Sequence, residues 1–121
     1  MKRSLQLSVV IIFLVSCSKP LPDLDGVDEP VWKTDSKGCL GKRVVFLEAL
    51  QGQRDKLKGL SEIDLVKLLG KPDRNDLSER HQKSYFYFIE PGPGCDNGKE
   101  DALKLIVRFN ATGVSREVAI E

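Results

Sequence analysis

Hydrophobic positions in this chain change their period once, from the three-to-four of helices to the two of strands. Over residues 43–58, Val44, Leu47, Leu50, Arg54 and Leu57 follow one another at steps of three or four. That spacing places them on one stripe and predicts a helix with one inward face. Gly52 interrupts it and weakens a helix by up to ~1 kcal/mol, so two pieces or an early end are expected. A second, shorter helix is predicted over residues 61–69. Ser61 stands at the N-cap, and Asp64 occupies the acidic position of a capping box. Ile63, Leu65, Val66, Leu68 and Leu69 give it a broad apolar face. Gly70 suits a left-handed C-terminal residue, and Pro72 follows as a stop.

Beyond a polar loop over residues 73–83, the period drops to two. Residues 84–90, Ser-Tyr-Phe-Tyr-Phe-Ile-Glu, read as a strand by composition. A loop rich in Gly and Pro follows over residues 91–101. Residues 102–110 form a second strand, with Leu103, Leu105, Val107 and Phe109 on one side and Lys104, Ile106 and Arg108 on the other. Asn110-Ala111-Thr112-Gly113 is a tight reversal. Residues 114–121 form a third strand with Val114, Val118 and Ile120 on its apolar side.

The order helix, helix, strand, strand, strand predicts an α+β two-layer sandwich. Two helices cover the apolar face of a three-stranded antiparallel meander. The open face is expected to carry Tyr85, Tyr87, Lys104, Ile106, Arg108, Glu117 and Ala119. Its aromatic, aliphatic and charged mixture suits contact with a protein; cross-strand aromatics that simply stabilise an exposed sheet fit it equally. The opposite parity of the first strand would turn Phe86 and Phe88 outward instead. Trp32, the only tryptophan, is read as a plug at the edge of the core, with a ligand-stacking role as the alternative. The candidate interaction residues are therefore Trp32, Tyr85, Tyr87, Ile106 and Arg108.

Nineteen basic and eighteen acidic residues nearly cancel. That argues against nucleic acid and against a polybasic membrane patch. The N-terminus supplies another route to a membrane. Lys2 and Arg3 precede a short apolar run that ends in Leu14-Val15-Ser16-Cys17. The run is too short for a permanent span. Its ending has the form of a bacterial lipoprotein signal, which implies removal of residues 1–16 and fatty acylation of Cys17. Residues 17–30, with three prolines and several acids, are expected to be an extended tether. Residues 31–121 are then a single domain. Ser18 is not the Asp that retains some lipoproteins at the inner membrane, which favours the outer membrane, on its periplasmic face or at the cell surface.

With Cys17 assigned to lipid, Cys39 and Cys95 are an even pair in an exported protein, and a disulfide is expected. A free pair or a metal pair is the rival reading, but two Cys and one His at long spacings form no zinc pattern.

Tests for chemistry return little. A nucleophile needs a base within hydrogen-bond reach, and the only histidine, His81, lies in the polar loop among Glu79, Arg80 and Lys83. The glycines at 59, 70, 92 and 94 build no phosphate loop. Asp96, Glu100 and Asp101 do not have the spacing of a calcium loop. No catalytic residue, metal site or cofactor is assigned, and no small-molecule substrate is expected.

Several short motifs in order carry a resemblance. Gly59-Leu60-Ser61 enters the capped helix, and Leu69-Gly70-Lys71-Pro72 closes it. Tyr85-Phe86-Tyr87-Phe88, Leu103-Lys104-Leu105 and Phe109-Asn110-Ala111-Thr112-Gly113-Val114 follow. The series resembles the SmpA/OmlA lipoproteins, the small lipoprotein component of the outer-membrane β-barrel assembly machinery. It covers about residues 58–120. The resemblance implies a lipidated Cys17, a two-helix, three-strand fold, and a non-enzymatic role as a protein-interaction or assembly module in the envelope. The same fold resembles repeats of β-lactamase-inhibitor proteins, so the alternative is a binding or inhibitory domain for a soluble protein or peptide.

Overall fold

A computed structural model describes residues 10–11, 20–78 and 82–121. Cys17, where lipidation is expected, and His81 lie outside the described residues. Among the described residues the architecture is α+β, with three α-helices and a four-stranded antiparallel sheet in the order β1-β2-β3-β4. The helices are α1 (Glu29–Thr34), α2 (Leu47–Gln53) and α3 (Glu62–Leu69). The strands are β1 (Arg74–Leu77), β2 (Lys83–Phe88), β3 (Lys104–Phe109) and β4 (Ser115–Ile120).

Two elements exceed the two-helix, three-strand expectation. β1 occupies the segment read as a polar loop. All four of its residues are exposed, so no apolar alternation marks it. It exists because β2 offers a row of backbone groups, against which Arg74 pairs with Phe86 and Leu77 with Lys83. α1 begins inside the segment read as a tether. Asp28 caps it, its carboxylate accepting from the Val31 amide, and Pro30 fits the first turn. Packing starts earlier still, because Leu24 and Val27 are buried in the core. The side chain of Gln53 exchanges hydrogen bonds with the backbone of Asp25. The extended tether therefore gives way to packed chain from Leu24 onward.

The long helical stripe is broken, as Gly52 suggests. A 3-10 turn over Val44–Phe46 leads into α2, and a second over Arg54–Leu57 follows it. Leu50 and Leu57 are fully buried, while Val44 is exposed. α3 matches its predicted ends. The Ser61 hydroxyl accepts from the Asp64 amide, and the Gly70 amide returns to the Val66 carbonyl with φ +84°.

The core lies between the helices and one face of the sheet. Leu50, Leu57, Leu65, Leu68 and Leu69 meet Tyr85, Tyr87, Leu105, Val107, Phe109 and Val118. At one end of the sheet, buried Ser115 joins the layers. Its hydroxyl donates to the Leu57 carbonyl at 2.6 Å and accepts from the Leu60 amide at 2.9 Å.

At the other end the segment after α1 is fastened to β2. Cys39 and Cys95, 56 residues apart, form the expected disulfide. Gly38 (φ +66°) is buried where a Cβ would meet the Phe88, Ile89 and Glu90 carbonyl oxygens at 2.9–3.0 Å. Only glycine allows that approach. Gly38→Ala is expected to cost about 2 kcal/mol or more, since it combines a positive φ with a steric conflict. Removal of the disulfide by Cys39→Ser with Cys95→Ser is expected to cost about 2–4 kcal/mol. Urea unfolding of each variant beside the parent checks both values.

Candidate functional site: a buried clasp and an apolar groove

The residues read as an open interaction face are not brought together on one. β2 has the opposite parity. Pairing places Tyr85 beside Val107, and Tyr87 beside Leu105, on the helix-covered face. Tyr87 is fully buried and its hydroxyl donates to the Gly70 carbonyl at 2.8 Å, at the end of α3. Tyr85 packs edge-to-face on Phe109 at 4.8 Å. Trp32 is fully buried 6.4 Å from the Tyr87 ring, so it is a core residue. The reason is polar. A tyrosine is buried readily when its hydroxyl finds an acceptor, and the end of α3 provides one for Tyr87.

Phe86 and Phe88 take the second face. There Ile106 is buried between its row neighbours Phe86 and Ala119. Phe88 is covered by Gly92, whose missing side chain leaves room for the ring, and by the Arg74 guanidinium 5.9 Å from the ring centre. Arg108 remains half-exposed on that face and pairs with Glu117 at 2.9 Å and Glu121 at 3.7 Å. Of the five candidate residues, only Arg108 is substantially exposed, and its charge already has partners; Tyr85 keeps 7 % of its surface exposed, beside α3.

The strongest polar feature is one that sequence reasoning missed. Arg43 is buried, with 1 % of its surface exposed. Its Nε donates to the Trp32 carbonyl at 2.9 Å. Its Nη1 donates to the Asp73 carboxylate at 2.7 Å and to the Phe88 carbonyl at 3.0 Å. The guanidinium also lies 4.7 Å from the Trp32 ring centre. Asp73 accepts further bonds from the Lys37 and Phe88 amides. Asp35, equally buried, accepts from the amides of Leu40, Lys42 and Arg43. One arginine thus joins α1, the disulfide loop, the start of β1 and the end of β2. In sequence Arg43 only opened a helical stripe and Asp73 only opened a loop, so neither carried a signal of burial.

A different surface is apolar and open. On α3, Ile63 is 69 % exposed and Val66 37 % exposed. With Glu62, Lys67 and Tyr85 they line a groove of about 320 Å³. Glu62 holds Lys83 of β2 at 2.9 Å beside it. That hydrogen bond and charge keep the Lys83 ammonium above its ordinary pKa. Next to β2 runs β1, whose outer edge is unpaired among the described residues. Its register sets Asn75 and Leu77 on the helix-covered face, opposite Tyr85 and Lys83, and Leu77 is largely exposed. The groove therefore lies close to an open sheet edge.

Among the described residues, no group of three His, Cys, Asp or Glu side chains is placed to hold a metal. No helix among them is long and apolar enough to cross a membrane. No protein-family model, curated protein or solved structure matches the chain.

Burial raises the pKa of both tyrosines above the ordinary phenol value of 10.0. They are the only tyrosines in the chain. Tyrosinate absorbance of the folded protein is therefore expected to show no step near pH 10. Because the folded values are raised, their contribution to stability is intact below pH 10 and falls as pH rises above it. Arg43→Ala, which leaves Asp73 buried without its partner, is expected to cost about 3–5 kcal/mol in urea unfolding.

Proposed function

We propose that this chain is a lipid-tethered, non-enzymatic protein-interaction module of the bacterial envelope, with its docking surface at the α3 groove and the β1 edge. One observation carries the reading: an apolar groove lined by Ile63, Val66 and Tyr85 beside an unpaired strand edge. Such a pair of features suits an extended segment of a partner. Its backbone would extend the sheet along β1, and an apolar side chain would enter the groove. The exposed Leu77 at the same edge adds apolar area. The charged residues Glu62 and Lys67 at the groove are suited to set orientation rather than affinity.

The lipoprotein form of the segment ending at Cys17 supports a membrane tether, and the residue after it supports the outer membrane. Two acyl chains hold a small domain firmly, since each buried CH₂ contributes about 0.8 kcal/mol. The resemblance of residues 58–120 to the SmpA/OmlA lipoproteins supports a role in outer-membrane protein assembly.

Affinity purification of the full-length tagged lipoprotein from native membranes tests the proposal. Recovery of β-barrel assembly components is expected. Ile63→Glu with Val66→Glu is expected to reduce that recovery at least tenfold with little change in melting temperature, because both side chains are at the surface. Cys17→Ala is expected to delocalise the protein and abolish its function. A partner that is retained by the double variant removes the groove from the proposal. Full function in soluble Cys17→Ala protein instead favours the binding or inhibitory alternative.

A further inference from the structure

A second cavity, of about 260 Å³, lies beside the buried clasp and has a different character. Lys33, Ser36, Lys37, Arg43, Lys71 and Asp73 line it. No aromatic side chain lines it, so nothing there is suited to grip a base or an acyl chain. Its charge is lopsided. Lys33, Lys37, Lys71 and Arg43 stand in its wall against Asp73 alone. Among the described residues, none of the three lysines has a carboxylate within ion-pair distance. The wall therefore carries a net positive charge, which a bound anion offsets.

Three independent features make this more than a patch of surface lysines. Arg43 is almost wholly buried, yet it forms part of the cavity wall. Its Nε and Nη1 donate to Trp32, Asp73 and Phe88, while its Nη2 donates to none of the described residues. A guanidinium presents five donors in a fixed fork, so the two protons on Nη2 remain for an acceptor. Second, the Lys33 ammonium is anchored, donating to the Lys67 carbonyl at 2.6 Å near the end of α3. Two of its protons remain. Third, Lys37 is the one non-glycine residue with positive φ among those described, at +60°. Its amide bonds to Asp73 and its carbonyl accepts from the Gly92 amide. This strained conformation is held from both sides at the wall of the cavity.

We propose that this cavity binds a small phosphate-type oxyanion, through the free Nη2 edge of Arg43, with Lys33, Ser36, Lys37 and Lys71 in its wall. A tetrahedral dianion matches the site in three ways. It carries several acceptor oxygens for donors that approach from several sides. Its charge offsets the local excess of cations. Its size suits a cavity smaller than those that enclose drug-sized ligands. A singly charged carboxylate satisfies fewer of these donors. The phosphate group belongs either to a soluble monoester or to a lipid headgroup that is itself a phosphomonoester, and the dianion presented is the same for both.

The test uses full-length protein carrying Cys17→Ser, so that acylation does not mask membrane binding. Inorganic phosphate and pyrophosphate are titrated at constant ionic strength with chloride as the reference, and backbone amide shifts are followed by NMR. Saturable shifts at Ser36, Lys37 and Lys71 in the millimolar range or below are expected. Lys37→Asn, which suits a positive φ, combined with Lys71→Gln is expected to weaken binding at least tenfold at an unchanged melting temperature. Flotation with vesicles of phosphatidylcholine, with or without phosphatidic acid, separates the two sources. Saturable uptake of free phosphate assigns a soluble ligand. Recruitment to the anionic vesicles that the double variant loses, without a response to free phosphate, assigns a headgroup. Shifts that chloride reproduces, or no difference between the parent and the double variant in either arm, overturn the site.

Discussion

The buried Arg43–Asp73 contact at 2.7 Å is the constraint on which the upper half of the molecule depends. The segment between α1 and α2 has no apolar pattern strong enough to hold it by burial alone. It is held instead by charge and hydrogen bonds to the end of β2 and the start of β1. Taking an arginine and two carboxylates out of water is costly, and the Coulombic gain alone seldom offsets it. Here the cost is met by many converging hydrogen bonds. Asp35 receives three amides, Asp73 receives two amides and the guanidinium, and Arg43 donates to two carbonyls besides. A network this densely bonded acts less as a source of net stability than as a device for setting one geometry. Gly38 and the Cys39–Cys95 bridge reinforce the same join, one by allowing backbone to approach backbone and the other covalently.

That join also explains where the surfaces of interest lie. Because Trp32 fills the space beneath Arg43, it is unavailable as a recognition residue. Because Tyr87 reaches the end of α3, β2 presents its tyrosines inward and its phenylalanines outward. The second face then buries Ile106 and Phe88 in a thin layer of its own. Two of the surfaces that remain open are one flank of α3 with the neighbouring sheet edge, which is apolar, and the cavity beside the clasp, which is cationic. The two surfaces share α3 as a boundary: Lys67 lines the groove, while its carbonyl anchors Lys33 at the cavity. Under the function and the anion site proposed above, the two surfaces would hold a protein segment and an anion side by side.

Local signals determined a good part of this molecule. The cap at Ser61, the exit at Gly70, the reversal at Asn110–Gly113 and the strand periodicity of β3 are decided by contacts within a few residues, and the pattern displays them directly; in β4 a register shift buries Ser115 where the alternation predicts Val114. The pairing of Cys39 with Cys95 followed from simple counting once Cys17 was set aside. The weakness at Gly52 followed from its lack of a side chain.

Three features belonged to the tertiary structure alone. β1 has no apolar alternation and forms only because β2 presents an unpaired edge. The parity of β2 rests on a choice between two nearly equivalent sets of aromatics, and the carbonyl of Gly70, 17 residues before Tyr87, decides it. The burial of Arg43 and Asp35 contradicts their polarity, and becomes tolerable only when amides and carbonyls distant along the chain converge on them. A one-dimensional pattern reports which side chains avoid water; it does not report which polar groups will find partners inside. That information resides in long-range hydrogen bonds, and in this protein those bonds determine both the joined end of the sheet and the surfaces left open to ligands.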